Sequence, residues 1–142
     1  MQERTDTPGA ALLNAAYAGE VVIISHLLTE GVDVNVSDRY GRTALSHAAR
    51  RGDIEIIDLL IRSGAWVDPH EDYDTYTTPL IEAARAGRMD VVECLLKLGA
   101  DPTRHGTVTQ AKASFFARTA GYSLIADRLA VAEENWYKKT RK

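Results

Sequence analysis

The feature that most limits how this chain can fold is a motif that returns along it. Ala15-Ala16-Tyr17-Ala18-Gly19 is followed by Ala48-Ala49-Arg50-Arg51-Gly52, by Ala83-Ala84-Arg85-Ala86-Gly87 and, in decayed form, by Ala117-Arg118-Thr119-Ala120-Gly121. The four glycines stand 33, 35 and 34 residues apart. A fixed period of this length implies stacked copies of one helical unit, since a single unit cannot bury its own apolar face. After each of the first three glycines comes an aliphatic stretch at helical spacing: Ile23, Ile24, Leu27, Leu28; Ile56, Ile57, Leu59, Leu60; and Val91, Val92, Leu95, Leu96. Each is closed by a further glycine, Gly31, Gly64 or Gly99. The unit is therefore helix, turn, helix, stop.

Residues at fixed offsets add a signature to the period. Thr78-Pro79-Leu80-Ile81-Glu82-Ala83-Ala84 and Gly41-Arg42-Thr43-Ala44-Leu45-Ser46-His47-Ala48-Ala49 open two repeats, and Gly31-Val32-Asp33-Val34-Asn35, Gly64-Ala65-Trp66-Val67-Asp68 and Gly99-Ala100-Asp101-Pro102 close three. Together these resemble the ankyrin repeat, with its Thr-Pro-Leu-His opening and its Gly-Ala-Asp-Val-Asn tail leading into a β-hairpin finger. The resemblance covers roughly residues 8 to 130. It implies an all-α solenoid of stacked helix-turn-helix units with short β-hairpin fingers, in four repeats at about 7–38, 39–72, 73–106 and 107–134. Thr78 is placed to cap a helix whose first position is Pro79, where a missing N–H costs nothing. The paired alanines let neighbouring helices approach closely.

The ends depart from the pattern. Ala10 and Ala11 stand where Thr and Pro are expected, while Thr7-Pro8 lies three residues upstream, so the first helix is expected to start a turn early. Near the other end Arg118 replaces the second alanine, which suits a terminal cap on which nothing further stacks. Trp136 and Tyr137 are expected to extend the last helix and fold back on it, with the basic run 138–142 as a solvated tail.

Composition narrows the function. Hydrophobic residues at 45% and charged ones at 26% suit an ordinary globular chain, and a net charge of −3 gives no global attraction to nucleic acid or to an anionic membrane. The amino-terminal residues lack a signal-peptide pattern and no apolar run reaches spanning length, so the expected compartment is the cytoplasm. The one cysteine, Cys94, sits in an apolar helix and is expected to be a buried structural thiol.

In the resembled family, partners occupy a concave groove lined by the first helices and the finger tips. Carried over by position, the groove helices present Asn14, Tyr17 and Ala18; His47, Arg50 and Arg51; Glu82, Arg85 and Ala86; and Phe116, Thr119 and Ala120. The finger before the second repeat adds Arg39, Tyr40 and Arg42. Five arginines and two tyrosines are thus expected to converge, and both types are enriched at interface hot spots. The segment from Trp66 to Thr77 is two residues longer than the first finger, acidic, and carries Tyr73 and Tyr76 as further contact candidates.

Catalytic patterns are not found. Asp68, His70, Glu71, Asp72 and Asp74 lack the order of a calcium loop, and Pro69 interrupts them. His26, His47, His70 and His105 share no metal-binding spacing. Ser46 and His47 are sequence neighbours and point to different helix faces. The expectation is a non-enzymatic protein-binding monomer without cofactor or metal: an adaptor, a scaffold or an inhibitor such as the immunity protein of a toxin pair. Its expected partner is a protein with an acidic surface. Nucleic-acid binding through the groove arginines and the basic tail is the competing expectation, weakened by the acidic net charge.

Overall fold

The computed structural model describes residues 7–69, 77–106 and 110–141. Within them the chain forms α1 (Pro8–Ala18), α2 (Val21–Thr29), α3 (Ala44–Arg51), α4 (Ile54–Arg62), α5 (Pro79–Arg85), α6 (Met89–Lys97), α7 (Ala113–Thr119) and α8 (Ser123–Thr140). The odd-numbered helices stack side by side as an inner layer, and each also packs on the even-numbered helix that follows it. This is an all-α solenoid.

Small side chains set the spacing of the inner layer. Ala15, Ala16, Ala48, Ala49, Ala83, Ala84 and Ala117 are all buried. Leu12, Leu45, Leu80, Ile56, Ile57, Leu60, Val91, Val92 and Leu95 fill the space between the layers. Burial of an aliphatic side chain of this size contributes roughly 1.5–3 kcal/mol.

Threonine caps start three of the four inner helices. Thr7 Oγ1 accepts from the Ala10 N–H, Thr43 Oγ1 from Ser46 and Thr78 Oγ1 from Ile81, at 3.1, 3.2 and 3.1 Å. Such a cap is worth about 1 kcal/mol. Thr7 and Pro8 make α1 eleven residues long against eight for α3, the early start expected from the sequence. Ser46 returns a bond to the Thr43 N–H, completing a capping box. That role explains a buried serine beside a histidine.

The fingers are smaller than hairpins. Among the described residues, pairing is confined to single antiparallel bridges, Ser37 with Thr43 and His105 with Lys112. In the first, the Asp38 N–H donates to the Arg42 carbonyl and the Gly41 N–H to the Asp38 carbonyl, and Thr43 already caps α3, so the pairing ends at one bridge.

The last repeat carries an arginine where the others have their second alanine. Arg118 is exposed and faces Asp127 at 3.6 Å, while Ala117 beside it is buried. The basic run is not a loose tail: α8 carries Lys138, Lys139 and Thr140 as its final turn, with Lys138 bonded to Glu134 one turn earlier. Cations in a last turn suit the helix dipole, and the Glu-before-Lys order adds to it. Nor does the helix fold back at Trp136. As expected, Trp136 and Tyr137 extend the helix, which runs unbroken through them, and Lys112 reaches it instead, donating to Glu133 at 3.3 Å and to the Tyr137 hydroxyl at 3.2 Å.

Candidate partner-binding groove

The groove is built by α1, α3, α5, α7 and the loop at 38–43. Asp38 shapes that loop: its carboxylate accepts from the backbone N–H groups of Tyr40 and Arg42 at 2.9 and 3.0 Å and from Arg42 Nε at 2.9 Å. Its role was visible in the sequence, since an aspartate opening Asp-Arg-Tyr-Gly is a turn signal. The result is a fixed projection of Arg42 and Tyr40, with the Arg42 guanidinium 4.9 Å from the Tyr40 ring centre and that of Arg39 at 5.8 Å.

Helical spacing does the rest. On α3, His47 and Arg50 lie one turn apart and both meet Tyr17 of α1. The His47 ring stands edge-on to Tyr17 at 5.7 Å, and the Arg50 guanidinium lies 5.9 Å from the Tyr17 ring centre. One repeat on, Arg85 lies 5.2 Å from the Phe116 ring centre and 3.8 Å from Glu82. Glu82 is nearly buried and accepts from the Thr77 hydroxyl at 3.0 Å. Arg42, Arg50, Glu82, Arg85 and Ala86 line one polar cavity of about 380 Å³.

His47 is pushed below its ordinary pKa, first by burial and then by the charge of Arg42, with Asp38 opposing and Arg50 adding to the depression. It is therefore neutral at pH 7.

Not every expected residue joins this cluster. Arg51 leaves it: its guanidinium lies over Gly19 and donates to the Tyr17 carbonyl at 3.2 Å, because it follows Arg50 by about 100° around the helix. Trp66 is 38% exposed, and its N–H is fixed by the Asn35 side chain at 2.8 Å, at the edge of the next loop. Tyr73 and Tyr76 lie outside the described residues, as do His70, Glu71, Asp72 and Asp74. Cys94 is half-buried and, with Ile54, Ile57, Ile61 and Leu98, lines an apolar hollow of about 440 Å³ between the outer helices α4 and α6.

Fold and groove together define a repeat solenoid with a polar, arginine-rich inner face. A family model described as ankyrin repeats, in three copies, matches residues 11–105, and the chain belongs to the ankyrin-repeat family. Its relatives include the 2-5A-dependent ribonuclease of Mus musculus, 38% identical over 73 residues, which are 51% of this chain and 10% of the ribonuclease. The mitochondrial disaggregase of Homo sapiens is 39% identical over 66 residues, 46% of this chain and 9% of the disaggregase. Inversin of Danio rerio is 37% identical over 72 residues, 49% of this chain and 7% of inversin. The chain thus spans a tenth or less of the length of these relatives. No helix among the described residues is long and apolar enough to cross a membrane.

Proposed function

We propose that this chain is a non-enzymatic protein-binding module that holds an acidic surface of its partner against the groove formed by Tyr17, Arg39, Tyr40, Arg42, His47, Arg50, Glu82 and Arg85. Membership in a repeat family that serves broadly as an interaction module supports binding as the task. The activities named in the ribonuclease and the disaggregase are not carried over, since the match covers so little of either.

The observation that carries the reading is the position of Arg50. It lies beside the face of Tyr17, which is 58% exposed, and its guanidinium has no carboxylate partner among the described residues. A guanidinium held beside an aromatic plane with its N–H edge free is a common form of interface hot spot.

The test begins with recovery of the partner by co-purification of the tagged chain from its native cell and mass spectrometry. Titration of that partner with Tyr40→Ala/Arg50→Ala should show a loss of at least about 2 kcal/mol. Folding stability should stay within about 0.5 kcal/mol, because both side chains are exposed. Glu55→Ala on α4 is the control for the convex side. Glu93 is unsuitable for that purpose, being paired with Arg128 of α8. Normal binding by the groove variant together with failure of Glu55→Ala would move the interface to the outer helices.

A further inference from the structure

We propose that the cavity between Arg42, Arg50 and Arg85 is an anchor site for one side-chain carboxylate of an acidic polypeptide, an aspartate or glutamate that enters it from the partner. This deepens the groove reading and rests on it.

Among the described residues, the charges around the cavity leave a single cation over. Arg42 is matched by Asp38 at 2.9 Å. Arg85 stands 3.8 Å from Glu82, whose nearly buried carboxylate is also bonded to Thr77. Arg50 has neither kind of partner among the described residues. One unmatched guanidinium beside a resident carboxylate suits a monoanion; a phosphate dianion would bring more charge than Arg50 offsets and would meet Glu82.

The lowered pKa of His47, caused first by burial and then by Arg42, agrees with this charge pattern. Next to burial, the strongest influence on it is Arg42, with Arg50 adding to the effect, and together with burial they outweigh the opposing Asp38. At His47 the two arginines therefore act in the same sense, against Asp38.

Shape agrees with charge. A cavity of about 380 Å³ takes a side chain and not a folded surface. Arg50 and Arg85 rest near Tyr17 and Phe116 on either side of it, so aromatic neighbours steady the guanidinium planes before a ligand arrives. A planar carboxylate matches the fork of a guanidinium with two parallel N–H···O bonds.

The experiment uses the full chain and labelled peptides read by fluorescence anisotropy: hexaglutamate and hexaglutamine, both with amidated carboxy termini, and hexaglutamine with a free carboxy terminus. Hexaglutamate should bind saturably, the amidated hexaglutamine should not, and Arg50→Gln should weaken binding at least about tenfold. Arg62→Gln, which removes an exposed arginine of α4 paired with Asp58, should leave binding unchanged. A melting curve identical to the parent's shows that Arg50→Gln is folded. The proposal is overturned by absence of hexaglutamate binding, by equal binding to Arg50→Gln, or by equal binding of hexaglutamine through its free terminus. Inorganic phosphate displacing hexaglutamate at lower concentration than acetate does would also overturn it. If the peptides fail while the co-purified partner is still lost on Tyr40→Ala/Arg50→Ala, the groove reading stands and the carboxylate anchor alone falls.

Discussion

Asn35 and Asp68 hold the same place in successive repeats, and of the two bonds that Asn35 makes to the next repeat, Asp68 makes one. Asn35 Oδ1 accepts from the Trp66 N–H at 2.8 Å while its Nδ2 donates to the Gly64 carbonyl at 3.1 Å. Asp68 Oδ2 accepts from the Asp101 N–H at 2.9 Å, but its Oδ1 is buried with no partner among the described residues. A carboxylate has no hydrogen to offer where the amide donates.

Asp68→Asn is therefore expected to stabilise the fold at pH 7. The amide supplies the missing donor, whose counterpart acceptor one repeat on is the Gly99 carbonyl. Relief of an unsatisfied buried oxygen is worth about 1–3 kcal/mol, and at about 4 °C per kcal/mol for a chain of this size the melting temperature should rise visibly. Burial raises the Asp68 pKa above its ordinary 3.8, against the Asp101 N–H and the charge of Arg104. The stability linked to this group is thus fully present below pH 3.8 and lost as pH rises through the folded value. The advantage of the variant should accordingly shrink on acidification. A variant that melts no higher than the parent at pH 7 would show that Oδ1 is not a liability.

Three turns that join the two helices of a repeat carry a side chain of the next repeat over a glycine: Arg51 over Gly19, Arg88 over Gly52 and Tyr122 over Gly87. All three glycines have positive φ, so alanine is strained there whatever the space. The neighbours differ, however. Arg51 is flexible and can swing away at the loss of its bond to Tyr17, whereas the Tyr122 ring, within 3 Å of a Cβ built on Gly87, is a rigid plane that must move as a whole. Gly31 also has positive φ but nothing within 4 Å of the added Cβ. Gly31→Ala should cost about 1–2 kcal/mol from backbone strain alone, Gly19→Ala somewhat more and Gly87→Ala the most. Chemical denaturation of the three variants checks the order, and equal losses would mean that the covering side chains carry no energy.

Close packing of the inner layer gives a parallel test of the cap. Ala49 and Ala84 are fully buried between neighbouring inner helices, and leucine at either should cost roughly 1–3 kcal/mol by overpacking. Arg118 holds the position of the second alanine in the last repeat and is exposed. Its pairing with Asp127 lies in solvent and is worth less than about 1 kcal/mol, so Arg118→Leu should cost far less than Ala84→Leu. Similar losses in the two melting curves would mean that the face of α7 is covered.

How much of this was legible depended on whether a residue acts along the chain or across it. Thr78-Pro79 and the alanine pairs announce local geometry, and the helices begin and pack where those residues say. Arg50 and Arg51 look alike in the sequence, yet a carbonyl of the preceding repeat draws Arg51 out of the groove. The partners of Asn35 and Asp68 lie about one repeat away, and only the stacked form shows that the asparagine makes two bonds there while the aspartate leaves an oxygen idle. The lysines of α8 suggested a tail because their charge was weighed without Glu134 a turn before them.

His47 offers a direct reading of the groove's potential. Its imidazole is buried against Tyr17, and burial, then Arg42, then Arg50 hold its pKa below 6.5 against the pull of Asp38. For a histidine of this kind the linked stability is fully present above pH 6.5 and lost as pH falls through the folded pKa, because the unfolded chain takes up the proton first. This sign is opposite to that of Asp68. Titration followed through the His47 ring protons by NMR should give a midpoint below 6.5. Arg42→Gln should raise it, by removing the cation with the larger effect and freeing the Asp38 carboxylate, and Arg50→Gln should raise it by a smaller amount, since Asp38 stays paired. Each variant also trims the cationic excess of the cavity, but hexaglutamate should lose more affinity in Arg50→Gln, whose guanidinium is the unmatched one, while the His47 midpoint moves more in Arg42→Gln, where Asp38 also loses its partner. A midpoint that stays fixed in both variants would show that burial alone depresses His47 and that the arginines exert no appreciable field at that point in the groove.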